Sequence, residues 1–278
     1  ALRRHYTATH TADVARRDVA HVVADLGWSD NVVLWPTADS HASRKQGLIR
    51  LARQLRRAAG GRPDWAVLLT NSFRSALLAT LAGARRRIGY DRDGRGLLLT
   101  DRLLAHRQDG KFLPSPMVKY YNSVVGFLGC KNVPADYELP DTPAYDALFD
   151  ELAGAVGLTA QRPLVVIHAG AAFGESKCWP SDRFAKVADI LAAEDNAQVV
   201  FTCGPNEQAI IGAIRAKLTR PAILLDKTPT TLRQVMALIR RADLLICNDT
   251  GPRHFAIAYQ TPVVRSEEHT SELQSPNT

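Results

Sequence analysis

The sequence has few of the features that mark specialised protein classes. Only four of its 278 residues are cysteines, and they form neither a C-x-x-C pair nor a cluster with histidines at zinc spacing. We therefore expect reduced thiols in the cytosol and no metal site. No apolar run approaches the roughly 20 residues that cross a bilayer, so we predict no membrane-spanning helix. Aromatic residues make up only 7% of the chain, which argues against a set of base-stacking platforms.

The composition is otherwise that of a globular protein with a basic balance. Hydrophobic residues make up 46% and charged residues 23%, and the length suggests about two domains. The formal net charge is +7. A basic surface is compatible with a nucleic acid, an anionic membrane surface or a phosphorylated substrate. The arginines concentrate in the first half, most densely in the predicted helix 41–58 and at residues 85–87.

Both ends of the sequence differ from the rest. The first five residues resemble the end of an amphipathic helix without an initiating methionine, so we expect further chain upstream of Ala1. Residues 265–278 have no helical or strand periodicity and resemble the translation of a sequencing-library adapter, so we assign them to an artefact tail. A genuine polar tail is the alternative. Without these residues the chain has 34 basic and 25 acidic residues, a net charge of +9.

Apolar strands and amphipathic helices alternate twice along the chain. The first half has apolar segments at 31–35, 65–69 and 87–90, and the alternation restarts at Leu164. The second half is predicted to contain strands 164–168, 199–202, 222–225 and 244–247 and helices 182–194, 206–217, 231–241 and 254–259. We predict an α/β fold of two Rossmann-like domains, over residues 1–157 and 158–264.

The loop after strand 164–168 contains residues that suit a ligand, because parallel sheets bind ligands beyond the carboxyl ends of their strands. Its small residues allow the backbone to approach a ligand closely, and Lys177 offers a charge that suits phosphate. The alternative is structural. Trp179 and Pro180 then only fix the entry of the next helix, and His168 is a core histidine.

Two later loops carry further candidate residues. In the stretch from Asn248 to His254, Asp249 or Thr250 can cap the following helix, whose free amides form an anion site. A capped turn without a ligand is the alternative. Glu207 stands at the start of another helix, where its carboxylate can accept hydrogen bonds from ribose hydroxyls or merely complement the helix dipole.

In this order and spacing, the three loops resemble those of glycosyltransferase family 9, the ADP-heptose:lipopolysaccharide heptosyltransferases. The first half is similar to the family through the segments 71–76, 87–90 and 97–102. The resemblance covers about residues 1–264 and is most specific at 177–180 and 248–254. It implies a GT-B type of fold, in which two Rossmann-like domains, both incomplete in this chain, face a cleft.

The resemblance also implies an activity and a setting for it. The expected enzyme is an inverting, metal-independent glycosyltransferase that moves L-glycero-D-manno-heptose from ADP-heptose to the lipopolysaccharide inner core. It would work without a cofactor as a cytoplasmic monomer, peripheral to the inner membrane and without a nucleic-acid partner. The positive charge of the first domain would then face a phosphorylated, acidic acceptor.

The family's functional residues can be carried over where this sequence matches its motifs. Lys177, Thr250 and Gly251 match the diphosphate contacts, and Lys177 would also stabilise the charge of the departing diphosphate. The implied donor site comprises Gly170, Ala171, Ala172, Lys177, Glu207, Asp249, Thr250, Gly251 and His254, with Glu207 at the ribose. The implied acceptor site comprises Asn71, Ser72 and Arg74.

One element of the family's pattern is not found in the chain. The family carries a Gly-Asp loop after its first strand, and the aspartate of that loop is the general base. We expect this strand upstream of Ala1 and therefore expect the chain on its own to be catalytically inactive. Asp39 or Asp91 could substitute as the base, although the spacing singles out neither.

Two other functions are compatible with parts of the sequence. One is an enzyme of the same fold that acts on another nucleotide sugar, such as a different transferase or an epimerase. The other is a nucleic-acid binder that relies on the basic charge, although the sequence lacks an RRM, zinc-finger or basic-zipper pattern. Titration with ADP, UDP and GDP distinguishes an ADP-heptose enzyme from an enzyme that uses another nucleotide sugar. Strongly salt-dependent binding to a random nucleic-acid duplex would indicate the nucleic-acid binder.

Overall fold

The computed structural model describes residues 2–36, 44–108, 111–113, 115–131, 133, 139, 142–170, 179–204, 206–228 and 230–266. These residues form two compact units, the first within residues 1–135 and the second within residues 136–270. Each unit contains parallel strands connected by helices, as the alternation of apolar segments predicts.

The first unit opens with a parallel strand pair and its helices. Its elements to residue 58 are α1 (Leu2–His5), β1 (Ala12–Ala15), α2 (Arg17–Asp25), β2 (Asn31–Leu34) and α3 (Arg44–Ala58). β1 pairs in parallel with β2. The sequence analysis missed β1 and α2. β1 is four residues long and only partly buried, so it lacks the apolar run that identifies a strand.

The rest of the first unit is built around a second sheet. Its elements are β3 (Trp65–Leu68), α4 (Phe73–Leu81), β4 (Arg86–Tyr90), a 3-10 helix (Arg95–Leu98), β5 (Asp101–Leu103), the antiparallel pair β6 (Arg107–Gln108) and β7 (Lys111–Phe112), and α5 (Met117–Phe127). The parallel sheet has the order β3-β4-β5. The apolar segment of β3 is typical of a strand buried on both faces, but its residues are partly exposed because β3 is the edge strand of this sheet.

The second unit contains a five-stranded parallel sheet. Its elements are α6 (Pro143–Val156), β8 (Leu164–His168), α7 (Ser181–Glu194), β9 (Gln198–Thr202), α8 (Gln208–Arg215), β10 (Ile223–Leu224), α9 (Leu232–Arg241), β11 (Leu244–Asn248), α10 (Gly251–Tyr259) and β12 (Val263–Ser266). The strand order is β10-β9-β8-β11-β12. The chain progresses in one direction from β8 to β10 and in the other from β11, so the order reverses between β8 and β11. Ligands bind at this point in open parallel sheets.

The core of the second unit lies on both faces of this sheet. In β8, Val165 and Ile167 pack into a cluster with Phe184 of α7, and Val166 packs into the opposite cluster with Leu238 of α9. The apolar run of β8 is thus buried on both faces, as predicted for a central parallel strand. This packing fixes the carboxyl ends of the strands from which the candidate loops leave.

Two boundaries differ from the sequence-based domain limits. The helix α6, which we expected in the first domain, belongs to the second unit because Leu152 packs in the α9 cluster and Asp146 pairs with Arg240 at 2.7 Å. At the other end, β12 includes Arg265 and Ser266, which the sequence analysis assigned to the tail. Both residues continue the parallel ladder with β11.

Some features are absent from the part of the chain that the structure describes. It contains no group of three or more histidine, cysteine, aspartate or glutamate side chains that could hold a metal ion. No helix in it is long and apolar enough to cross a membrane. Cys130, Cys203 and Cys247 are free thiols, and burial raises the pKa of Cys247 to about 11.

Candidate nucleotide-binding site

The fully buried Asn248, at the end of β11, connects the loops at the reversal point of the sheet. Its amide Nδ2 donates to the carbonyl oxygens of Ala169 and Gly170 at 2.7 and 3.3 Å. Its Oδ1 accepts hydrogen bonds from the Trp179 amide at 3.0 Å and the Ser266 hydroxyl at 2.8 Å. One side chain therefore holds both ends of the loop between β8 and α7 against β11 and β12. The sequence analysis did not select Asn248 as a site residue.

The helix α10 begins three residues after Asn248, at Gly251, which is three residues earlier than predicted. Thr250 is its N-cap residue and Gly251 its first helical residue. The Thr250 side chain makes no capping hydrogen bond and donates instead to the Asn248 carbonyl at 3.3 Å. Gly251 is exposed. The positive end of α10 is thus free of a side-chain cap, which is the arrangement that suits an anion.

The other two candidates in this stretch, Asp249 and His254, lie in a small charged cluster. Asp249 pairs with Arg253 at 2.7 Å and Arg265 at 3.6 Å. The ring of His254 approaches the Arg253 guanidinium at 3.5 Å. Burial and the charge of Arg253 lower the pKa of His254, which Asp249 partly offsets. Asp249 therefore forms ion pairs with two arginines and does not cap the helix.

Glu207 lies at the carboxyl edge beside the first loop. It is the N-cap residue of α8, and its Oε2 accepts a hydrogen bond from the Gly204 amide at 2.6 Å. A Cβ atom added at Gly170 would overlap the Glu207 carboxylate. Gly170 is therefore required as glycine because this carboxylate packs against its backbone, and not because of a left-handed conformation.

The structure brings Gly170, Glu207, Asp249, Thr250 and Gly251 to one edge of the second sheet. Gly170 contacts Glu207 directly and is bonded through its carbonyl to Asn248, which precedes Asp249 and Thr250. The candidates Ala171, Ala172 and Lys177 lie outside the described residues.

Trp179 and Pro180 make the helix-entry contacts that the structural alternative describes. Pro180 is the N-cap residue of α7, and the Trp179 ring meets the Phe184 ring edge-on at a centroid distance of 5.1 Å. This contact between the residue before the cap and the fourth helical residue is a hydrophobic staple. It fixes the direction in which the chain returns from the ligand-side edge.

The three candidate acceptor residues have different environments in the first unit. Ser72 is the N-cap residue of α4, and its hydroxyl oxygen accepts a hydrogen bond from the Ser75 amide. Asn71 accepts from the Tyr120 hydroxyl at 2.7 Å. Arg74 is exposed, with its guanidinium 5.5 Å from the centre of the Trp35 ring. Arg74 is therefore the candidate with a charge available to a ligand.

The buried Arg95 supports the segment that carries these residues. Its guanidinium donates to the carbonyl oxygens of Tyr90, at 2.9 Å, and of Thr70, and it reaches Asn71 Oδ1 at 3.4 Å. Arg95 is fully buried, and burial lowers its pKa. Sequence reasoning missed it because a buried arginine has no periodicity signal and arginines are usually exposed.

The structure describes one of the two carboxylates considered as substitute general bases. Asp39 lies outside the described residues. Asp91 packs closely against Gly96 in the first unit, and its carboxylate lies 4.0 Å from the Arg102 guanidinium. These contacts account for Asp91 as a residue with a structural role in the first unit.

Comparisons with known proteins agree with these features. The model of glycosyltransferase family 9 (heptosyltransferase) matches residues 48–265. Lipooligosaccharide heptosyltransferase 2 of Haemophilus ducreyi is 32% identical over 211 residues, which cover 72% of this chain and 58% of that protein. The chain thus spans less than two thirds of the length of this curated relative.

Two solved structures have the same fold. A glycosyl transferase of family 9 from Veillonella parvula superposes with a TM-score of 0.81 at 24% identity, covering 95% of this chain and 73% of that chain. ADP-heptose lipopolysaccharide heptosyltransferase II of Escherichia coli gives a TM-score of 0.77 at 23% identity, with 98% and 81% covered. These similarities confirm the predicted GT-B type of fold. With its sequence matched over most of its length, the chain belongs to glycosyltransferase family 9, the heptosyltransferases.

Proposed function

We propose that the protein transfers L-glycero-D-manno-heptose from ADP-heptose to the lipopolysaccharide inner core, and that its second unit binds the donor. The arrangement at the reversal point of the second sheet carries this proposal. There, Asn248 ties the ligand-side loops together, the uncapped start of α10 offers an anion site, and the Glu207 carboxylate lies beside Gly170. Family membership supports the choice of a heptose donor.

The groups at the end of the second sheet are proposed to stabilise the negative charge of the departing diphosphate. Sugar transfer releases a diphosphate whose negative charge grows in the transition state, and fixed cationic and amide groups stabilise that charge. We assign this role to the Gly251 amide and to Lys177. The described chain resumes two residues after Lys177, where the Trp179 amide is bonded to Asn248. No metal or cofactor is required in this proposal.

The first unit is proposed to bind the acceptor. Arg74 is exposed at the start of α4, beyond the carboxyl end of β3, and its charge suits a phosphorylated sugar. Asn71 and Ser72 shape this segment through their bonds to Tyr120 and Ser75. We further propose that the protein works as a monomer at the cytoplasmic surface of the inner membrane, without a nucleic-acid partner.

Nucleotide titration by calorimetry tests the donor assignment without requiring turnover. We expect ADP to bind with a Kd in the micromolar range, about 8 kcal/mol, and UDP and GDP to bind at least about tenfold more weakly. Lys177→Ala should weaken ADP binding by about ten- to a hundredfold, because it removes a charged partner of the diphosphate. Lys186→Ala, at an exposed position of α7, is the matched control and should leave the Kd unchanged.

The outcomes separate the proposal from its alternatives. Preference for UDP or GDP would contradict an ADP-heptose donor and indicate another nucleotide-sugar enzyme. Equal losses for Lys177→Ala and Lys186→Ala would contradict a specific diphosphate site and indicate a diffuse electrostatic attraction.

A further inference from the structure

His168 faces the proposed ribose contact from the end of β8. Its side chain is only 12% exposed, and its Nδ1 lies 2.9 Å from the Thr202 hydroxyl of the neighbouring strand β9. Its Nε2 lies 3.7 Å from Glu207 Oε2. The ring therefore bridges a buried hydroxyl and a carboxylate at the carboxyl edge of the sheet.

The two neighbours select one tautomer of this ring. A hydroxyl can donate or accept, whereas a carboxylate can only accept. If the proton were on Nδ1, the lone pair of Nε2 would face the negative Oε2 of Glu207. With the proton on Nε2, the partial positive charge of the N–H faces the carboxylate at 3.7 Å, an electrostatic contact longer than a hydrogen bond, and the Thr202 hydroxyl donates to Nδ1.

The Glu207 carboxylate is held through one of its two oxygens. Oε2 accepts from the Gly204 amide and faces His168, while Oε1 makes no hydrogen bond to the described residues. Gly170 and Gly204 leave the space that the carboxylate occupies, since a Cβ at either position would press on it. Among the described residues, Oε2 is thus fixed by a hydrogen bond, while Oε1 keeps its capacity to accept one.

We propose that His168 is a positioning residue that holds Glu207 so that its Oε1 accepts a hydroxyl of the nucleotide ribose. This inference rests on the proposed function, because it takes a nucleotide as the ligand. Selection of ribose over deoxyribose then depends on His168 through Glu207, although His168 does not touch the sugar. Burial lowers the pKa of His168, with Glu207 offsetting this in part, so the site favours the neutral ring. A neutral ring orients the carboxylate without neutralising it.

The test compares ADP with 2′-deoxy-ADP in calorimetric titrations at pH 7.5. For the natural chain we expect ADP to bind about tenfold or more tightly than 2′-deoxy-ADP, the value of a hydrogen bond to a charged acceptor. His168→Gln places an amide N–H near the position of Nε2 and should keep the preference. His168→Asn places its amide near Nδ1, bonds only to Thr202, and should reduce the preference to about twofold or less. Glu207→Gln provides the reference value for loss of the carboxylate.

A merely structural histidine gives a different pattern. General damage to the site would weaken the binding of both nucleotides equally and leave the ratio of their Kd values unchanged. An unchanged ratio in His168→Asn therefore overturns the inference. Thr202→Val offers a second route, because it keeps the ring but removes the hydroxyl that fixes it, and it should also lower the ratio. Equal binding of ADP and 2′-deoxy-ADP by the natural chain overturns the inference while leaving the proposed function standing. Absence of ADP binding overturns both.

Discussion

Replacing Arg95 by methionine is expected to lower the free energy of unfolding of the first unit by about 3–5 kcal/mol. Methionine fills much of the volume but donates no hydrogen bond, so the carbonyl oxygens of Thr70 and Tyr90 lose a buried donor. Each buried polar group left without a partner costs about 1–3 kcal/mol. The segment from Thr70 to Asn71 also loses the connection that holds it against the end of β4.

The measurement is denaturant unfolding followed by tryptophan fluorescence. Trp28, Trp35 and Trp65 report on the first unit, and Trp179 reports on the second. Arg53→Met on the exposed face of α3 is the matched control and should change the transition by less than about 0.5 kcal/mol. ADP affinity should stay unchanged in Arg95→Met, because the proposed donor site lies in the other unit. An unfolding transition like that of the natural chain would contradict the role given to Arg95.

The second large effect is expected at Asn248. Asn248→Ala removes a side chain with two donor and two acceptor bonds, and leaves the Trp179 amide and the Ala169 carbonyl without their partners. We expect a loss of about 2–4 kcal/mol in the unfolding free energy. ADP affinity should also fall by about tenfold or more, because the loop after β8 loses its attachment to β11.

The control for this prediction is Gln208→Ala, at an exposed position in the first turn of α8, which should affect neither quantity. The Asn248→Asp variant separates the contribution of the hydrogen bonds that Asn248 accepts from that of the bonds it donates. An aspartate can still accept from the Trp179 amide and the Ser266 hydroxyl, but it cannot donate to the Ala169 carbonyl. Full ADP affinity in a folded Asn248→Ala variant would show that the hydrogen bonds of Asn248 are not needed to hold the loops of the donor site.

The sequence predicted the second unit better than the first because its three central strands, β8, β9 and β11, are almost entirely buried. β8 and β11 are continuous apolar runs, and their predicted limits agree with the structure to within one residue. β1 has no such run, and Arg16, the N-cap residue of α2, makes no side-chain capping bond, so neither element has a clear sequence signal. Strands that are partly exposed need fewer apolar residues than fully buried strands, and they are therefore harder to recognise in the sequence.

The start of α10 shows how one pair of residues misled the prediction. Gly251 and Pro252 are residue types typical of turns, so the sequence predicts a helix that begins only at His254. In the structure both belong to the first turn of α10, where proline is favoured because its missing N–H needs no partner there. The correction brings the amide end of the helix next to Thr250 and strengthens the case for an anion site.

The candidate site was predicted in part from residue types and spacing. Glu207, Gly170, Thr250 and Gly251 stand out because loops after parallel strands form ligand sites. Asn248 and His168 owe their roles to partners that are distant in the sequence, up to 79 residues away for the Ala169 carbonyl. Such pairings depend on strand order, which the sequence does not state directly. Polar residues that end buried strands are the signal that could have revealed both.

A crystal structure of the chain with ADP would test the central claim most directly. We predict that a diphosphate oxygen lies about 3 Å from the Gly251 amide and that a ribose hydroxyl donates to Glu207 Oε1 at a similar distance. The adenosine would then extend along the edge formed by the ends of β8 and β9. Bound ADP with its diphosphate remote from the start of α10, or with its ribose away from Glu207, would contradict the account.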